Sequence, residues 1–206
     1  HGSHPALRYS LATGAFLGPA VYAEEVPDWV DIKAGPDGNF YVADPYRDSV
    51  YRIDGKTGGF AGVFVSGDAI MAPVGLVFGP DGNLYVYSNG TKSIVKVDGE
   101  NGAVIRKFST IPLRTHRNYS MIFGPDSDLY VREYPGPAVH RYDGNTGAYK
   151  GTFTESGWGG SYSIAFGFDG QFYMSHINGA EAVRKFDALT GANLGVFANL
   201  ASYGLP

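Results

Sequence analysis

Apolar and polar positions along this chain come in short alternating runs. Asn83-Leu84-Tyr85-Val86-Tyr87 and Ser93-Ile94-Val95-Lys96-Val97 have the length and texture of β-strands. Glycine-rich pentamers punctuate the runs, and the pentamers recur. Gly35-Pro36-Asp37-Gly38-Asn39 returns as Gly79-Pro80-Asp81-Gly82-Asn83, then in weaker form as Gly124-Pro125-Asp126-Ser127-Asp128 and Gly167-Phe168-Asp169-Gly170-Gln171. A second series keeps step with it: Asp54-Gly55-Lys56-Thr57-Gly58, Asp98-Gly99-Glu100-Asn101-Gly102, Asp143-Gly144-Asn145-Thr146-Gly147 and Asp187-Ala188-Leu189-Thr190-Gly191, preceded by Ser10-Leu11-Ala12-Thr13-Gly14. Asp-Gly between apolar runs favours a tight hairpin, because glycine adopts positive φ without a Cβ clash. The second series reads as a longer hairpin loop closed by glycine. One repeat is therefore a four-strand antiparallel meander, a-b-c-d, and a period of about 44 residues predicts an all-β fold, a β-propeller of four-stranded blades.

The register makes specific demands. Tyr41, Tyr85, Tyr130 and Tyr173 fall at one position of strand b, and Phe64, Phe108, Phe153 and Phe197 at one position of strand d. Both sets are expected to pack between blades. The repeats lie near 20–64, 65–108, 109–153 and 154–197, with a half-blade over 6–19, all within one propeller domain spanning 6–206. Residues 1–5 read as a tag scar or a disordered end. Five c-d hairpins stand against four a-b hairpins, so the chain reads as four and a half blades of a ring of five or more. Tyr203-Gly204-Leu205-Pro206 lines up with the start of a strand a. The surplus strand c, Leu7-Arg8-Tyr9-Ser10, has no strand b to pair with, and its bare edge predicts self-association if the chain is complete.

The run Gly-Pro-Asp-Gly-Asn-Leu-Tyr-Val, followed by Ile-Val-Lys-Val-Asp-Gly, resembles the NHL-repeat and gluconolactonase-like propellers and virginiamycin B lyase. The resemblance covers nearly the whole chain and implies the fold. It does not choose among lyases, lactonases and binding platforms, all of which share that fold.

Composition agrees with an all-β chain: 206 residues include 30 Gly, 15 Tyr and 13 Phe, and only 17% are charged. The net charge of −4, with no run of Lys or Arg, argues against nucleic acid as a partner. No apolar stretch approaches the roughly 20 residues that cross a bilayer. With no cysteine there is no disulfide framework and no thiolate metal site or nucleophile. That absence suits an oxidising compartment, and an extracellular or periplasmic location is expected. Asn118-Tyr119-Ser120 matches a glycosylation acceptor pattern too short to carry weight.

The a-b and c-d turns share one end of each blade and are nearly identical. The b-c and d-a loops share the other end and differ from blade to blade. The b-c loops begin with Asp44-Pro45-Tyr46-Arg47-Asp48, Ser88-Asn89-Gly90-Thr91-Lys92, Glu133-Tyr134-Pro135-Gly136-Pro137 and His176-Ile177-Asn178-Gly179-Ala180. Binding residues concentrate on variable loops held by a rigid scaffold. Asp44, Ser88, Glu133 and His176 each close strand b and, in a closed ring, would face one mouth. An acid, a second acid and an imidazole there suit a divalent cation or acid-base chemistry. The competing view is that each caps its own loop. The d-a loops add Arg114, His116 and Arg117, with Trp158 in the next. A cationic cluster beside an indole suits an anionic or carbohydrate-like ligand; packing of Trp158 against a neighbouring blade is the alternative. His140, aligned with Tyr51, Val95 and Arg184, is expected to be half-exposed on an outer strand.

The resemblance adds roles. In virginiamycin B lyase-like enzymes a His and Glu group acts with a divalent cation, and His176, Glu133 and His116 match by type and face. In gluconolactonase-like enzymes Glu, Asp and Asn bind the metal, with Glu133, Asn89 and Asp44 the nearest substitutes. A serine triad, a phosphate-cradling loop and an EF-hand are all unsupported by the motifs present.

Three functions remain open. The favoured one is a binding module for a protein, small-molecule or carbohydrate ligand, using Asp44, Tyr46, Arg47, Ser88, Asn89, Arg114, His116, Tyr134, Trp158 and Asn178, with no cofactor. The second is a metal-assisted lyase or lactonase with Glu133 and His176 as catalytic pair and a divalent cation. The third is a structural subunit that polymerises through its incomplete blade.

Overall fold

Every polar-apolar alternation marked by the repeat becomes a strand. The computed structural model describes residues 6–21, 28–109, 120–132, 138–155, 161–176 and 182–199, and four antiparallel four-stranded sheets plus one hairpin carry its strands. The hairpin is β1 (Ala6–Tyr9) with β2 (Phe16–Val21). Blade A is β3 (Asp31–Ala34), β4 (Phe40–Asp44), β5 (Ser49–Ile53) and β6 (Phe60–Ser66). Blade B is β7 (Pro73–Phe78), β8 (Leu84–Ser88), β9 (Ser93–Val97) and β10 (Val104–Ser109). Blade C is β11 (Met121–Phe123), β12 (Leu129–Arg132), β13 (Ala138–Tyr142) and β14 (Tyr149–Glu155). Blade D is β15 (Ser161–Phe166), β16 (Phe172–His176), β17 (Ala182–Phe186) and β18 (Asn193–Asn199). Strands pair in chain order in every sheet, as a β-propeller blade requires. Strand d of each blade runs slightly past the repeat boundary read from the sequence. The chain divides into two compact units, 1–109 with the hairpin and blades A and B, and 110–206 with blades C and D. No described helix is long and apolar enough to cross a membrane.

The turn motifs do the work expected of them, and more. Gly38, Gly82 and Gly170 take φ of 81°, 76° and 74°, and Ser127 takes the same left-handed geometry at 62°. In the a-b turn Asp37 accepts bonds from the Asn39 N–H (3.1 Å), the Asn39 side chain (2.7 Å) and the Tyr41 hydroxyl (3.0 Å). The Asp-to-Tyr bond recurs in all four blades: Tyr85 to Asp81 (3.1 Å), Tyr130 to Asp126 (2.9 Å) and Tyr173 to Asp169 (2.8 Å). A strand-c cation joins it, through Lys96 to Asp81 (2.6 Å), Lys185 to Asp169 (2.8 Å) and Arg141 to Asp126. Burial works against the Asp81 carboxylate, but bonds from Lys96, Asn83 and Tyr85 outweigh it and hold its pKa down at about 2. Burial and the bond to Asp37 push the Tyr41 phenol up to about 12.

The two hairpins of a blade are stitched together. The Gly55 N–H donates to the Asn39 side-chain oxygen (3.1 Å), and Gly99 to Asn83 (3.2 Å). A Cβ on Gly55 would lie 1.7 Å from the Gly38 carbonyl oxygen, so only glycine permits this approach. In the c-d loops Asp54 and Asp143 each accept two backbone N–H bonds and a threonine hydroxyl, whereas Ser10 stands in for the aspartate in the hairpin.

Tyr41, Tyr85, Tyr130 and Tyr173 are all the second residue of strand b, and Phe64, Phe108, Phe153 and Phe197 the fifth of strand d. They pair ring to ring, Tyr41 with Phe64 at 4.7 Å and Tyr130 with Phe153 at 4.8 Å, edge to face. The next blade adds a third ring from its strand a: Phe78 lies 4.9 Å from Tyr41, and Phe166 lies 5.1 Å from Tyr130. Blades A and B share a core of Tyr41, Ala43, Val50, Leu76, Val86 and Val95. Blades C and D share Tyr130, Val139, Phe153, Ile164, Phe172 and Met174. The hairpin packs through Ala6 on Val42, Tyr51 and Ile53 of blade A.

One feature departs from the sequence reading and one is not announced by it. His140 is buried, not half-exposed: β13 is an interior strand flanked by β12 and β14, and Nδ1 of His140 lies 3.2 Å from the Tyr149 hydroxyl. The third residue of strand d is a positive-φ glycine in the hairpin and three blades (Gly18, Gly62, Gly151, Gly195), beside the register shifts that bulge each of these strands. Blade B carries Arg106 there.

Candidate functional site

The candidate site of the first unit is the loop end of blades A and B, where three connections lock together. Strand β4 delivers Asp44, fully buried, to the mouth of the loop before β5. One carboxylate oxygen accepts the N–H groups of Tyr46 (2.9 Å) and Arg47 (3.1 Å), and the other takes Nη1 of Arg47 (2.8 Å). An aspartate that both caps a turn and clamps a guanidinium leaves that loop few alternative conformations. Arg47 also faces Asp28 at 3.7 Å. The Tyr46 ring is 65% exposed, and the Arg47 side chain is about half exposed.

The loop between β6 and β7 is held from both sides. From blade A, the Asp48 carboxylate accepts the Ala72 N–H (2.7 Å) and its carbonyl accepts the Gly67 N–H (3.1 Å). From blade B, Gly90 N–H (2.8 Å) and the Ser88 hydroxyl (2.8 Å) donate to the Met71 carbonyl, and Asn89 N–H donates to Ala72 (3.0 Å). Ser88 also accepts from Thr91 (2.7 Å), and Asn89 accepts from Lys92 (2.7 Å). Desolvation lowers the Lys92 pKa. The carboxylate of Asp44 is thus engaged by its own loop, and Ser88 and the Asn89 amide oxygen by bonds within their loop and to the β6–β7 loop. The side chains exposed at this end include the Tyr46 ring, the Arg47 guanidinium, Asp68 and Met71.

In the second unit, His176 is the last residue of β16, paired with Ser161 and Ala182. Asp44 pairs with Ser49 and Ser88 with Ser93, so all three hold the same register position, as the repeat predicts. Glu133, Tyr134, Arg114, His116, Trp158 and Asn178 lie outside the described residues. Among the described residues no group of three or more His, Asp or Glu could hold a metal.

Sequence reasoning missed Asp48 and Met71, which lock the loops through bonds to groups distant in sequence that no local pattern announces, and Thr91, whose hydroxyl joins Ser88 and Ser93. It also missed Arg132, fully buried at the end of β12 beside the Glu133 position. At the opposite end of blades A and B a cavity of about 520 Å³ is lined by Asp37, Asp81, Asn83, Asp98 and Glu100. Of its carboxylates, Asp37, Asp81 and Asp98 are spent on turn bonds.

No protein-family model and no curated protein sequence matches the chain. Solved structures do. Virginiamycin B lyase from Staphylococcus aureus is similar at a TM-score of 0.69 and 18% identity over 91% of this chain, which spans 60% of that protein. A protein of unknown function from Bacteroides caccae is similar at 0.66 and 16% identity, covering 98% of this chain and 72% of the other. Kuenenia stuttgartiensis hydrazine synthase is similar at 0.68 and 19% identity, covering 89% and 53%. Identities this low speak for the fold alone, and by fold the chain is a four-stranded-blade β-propeller of the kind seen in virginiamycin B lyase.

Proposed function

We propose that this chain is a binding module that engages an anionic or carbohydrate-like ligand through its b-c and d-a loop end. One observation carries the reading: the buried Asp44 carboxylate holds the 45–48 loop so that an exposed tyrosine ring and a guanidinium stand side by side in sequence on a fixed turn. A ring stacks on a sugar face and a guanidinium grips a carboxylate by paired hydrogen bonds, and a pre-set loop reduces the ordering cost of binding. At the turn end the Tyr-to-Asp bond recurs in all four blades, and the turn carboxylates are engaged by internal bonds.

The test is calorimetric titration of the chain with uronic-acid oligosaccharides and with neutral cello-oligosaccharides. Binding of the acidic series that falls at least tenfold in Arg47→Ala and Tyr46→Ala supports the reading. Binding untouched by both substitutions, or none to either series, overturns it. A second reading, a metal-assisted lyase or lactonase using Glu133 and His176, is supported by the fold likeness to virginiamycin B lyase and by the strand-end position of His176. Parallel titrations with Mg²⁺ and Mn²⁺, repeated on His176→Ala, separate it: metal uptake lost in the variant favours it, and no uptake removes it.

A further inference from the structure

Sulfur chemistry in this chain rests on thioethers, since it has three methionines and no cysteine. Two of the three are core residues. Met121 opens β11 and is 4% exposed, and Met174, in the middle of β16, is fully buried among Tyr130, Phe172 and Phe186. Met71 differs: it follows the single 3-10 turn Asp68–Ile70 in the β6–β7 loop and is 42% exposed.

Its main chain is fixed while its side chain is displayed. Four hydrogen bonds hold the Met71-Ala72 segment. The Met71 carbonyl accepts the Gly90 N–H and the Ser88 hydroxyl, the Ala72 N–H donates to the Asp48 carboxylate, and the Ala72 carbonyl accepts the Asn89 N–H. Ala72 takes φ of 47°, a left-handed conformation that a residue with a Cβ keeps where its surroundings over-determine it. Gly90 lets the two loops meet, because a Cβ there would lie 2.6 Å from the Met71 Cβ. Met71 and Arg47 are the chain neighbours of the bonded Ala72 and Asp48, so thioether and guanidinium belong to one locked region.

Peroxides oxidise a thioether according to its exposure, and the product is polar. The sulfur lone pair attacks one peroxide oxygen, the O–O bond breaks and an S–O bond forms. Sulfur is thereby oxidised by two electrons, and the released hydroxide or alkoxide takes up the peroxide proton to leave as water or an alcohol. At Met174 the new oxygen would enter an apolar core without a hydrogen-bond partner, whereas at Met71 water solvates it.

We propose that Met71 is a modification site for hydroperoxides, oxidised in preference to Met121 and Met174 and able to carry the sulfoxide without loss of the fold. The loop end then exchanges an apolar thioether for a polar sulfoxide on an unchanged backbone, and a sulfoxide reductase reverses the exchange. The inference is independent of the ligand reading, because it requires only an exposed sulfur and a locked main chain.

Treatment of the intact chain with hydrogen peroxide, followed over time by peptide mass spectrometry, tests it. Sulfoxide is expected at Met71 at least about tenfold faster than at Met121 or Met174, with the three rates converging in urea, where burial is lost. A chain oxidised at Met71 alone should melt within about 2 °C of the untreated chain. Methionine sulfoxide reductase with dithiothreitol should restore its mass. Met71→Leu, shown to be folded by circular dichroism, should gain no oxygen in the time that modifies the wild type. A smaller rate ratio in the folded chain overturns the proposal. So does a larger fall in melting temperature on oxidation of Met71 alone, or oxygen uptake by Met71→Leu at the wild-type rate.

Discussion

Tyr41 with Phe64 in blade A and Tyr173 with Phe197 in blade D are the same pair built twice, with rings 4.7 Å and 4.9 Å apart and near edge-to-face in both. Each tyrosine donates to its own turn aspartate, Asp37 or Asp169. The two differ in what lies beyond. Phe78 closes over the first pair and seals it in the core shared by blades A and B, whereas Phe197 faces solvent. Ring geometry is thus a local product of strand register and the turn bond, whereas the energy of the pair is set by the neighbouring blade.

The comparison predicts unequal costs for equal substitutions. Tyr41→Ala removes a fully buried ring and leaves a cavity between two blades, and is expected to cost about 3–5 kcal/mol in urea unfolding. Tyr173→Ala removes a part-exposed ring and is expected to cost about 1 kcal/mol. Equal losses would mean that the Tyr173–Phe197 pair is covered in solution.

A smaller effect sharpens the role of the turns. Gly55→Ala places a Cβ against the Gly38 carbonyl oxygen and must part the two hairpins of blade A, at about 1–3 kcal/mol by thermal unfolding. Wild-type stability in that variant would show that the stitch between turns contributes little.

The smallest expected effect is electrostatic. Asp81 has its pKa lowered to about 2, so its ion-pair contribution is complete above the unfolded carboxylate value near 4 and is lost as pH falls toward 2. Partial exposure and salt screening limit that contribution to about 1 kcal/mol. Asp81→Asn should lower the melting temperature at pH 7 by a few degrees and flatten its decline between pH 4 and 2. Tyr41 works in the opposite sense: its raised pKa of about 12 stabilises the fold below pH 10, and the benefit disappears as pH climbs through 12. An unchanged acid profile in Asp81→Asn would assign the acid sensitivity to other carboxylates.

Much of this was readable from the residues because the punctuation is local. Asp-Gly turns and the Asp-x-x-Thr-Gly loop specify their own backbone bonds within five residues, so the strand positions of the four tyrosines and four phenylalanines followed from counting between them. The site was less readable. Asp44 and Ser88 were placed correctly at the ends of strand b, but their engagement depends on Arg47 and on the distant Met71 carbonyl. His140 lies on an interior strand and is buried, so its unlikeness to Tyr51, Val95 and Arg184 at the same position does not mark a solvent face.

The sequence by itself determined turn types, strand order and the register of the repeat, since these rest on φ preferences and hydrogen bonds between near neighbours. Tertiary structure alone decided which of several equivalent faces is covered and which groups meet the Met71 and Ala72 carbonyls. Both depend on groups from other blades or distant loops, and the repeat makes the candidates chemically alike until packing distinguishes them.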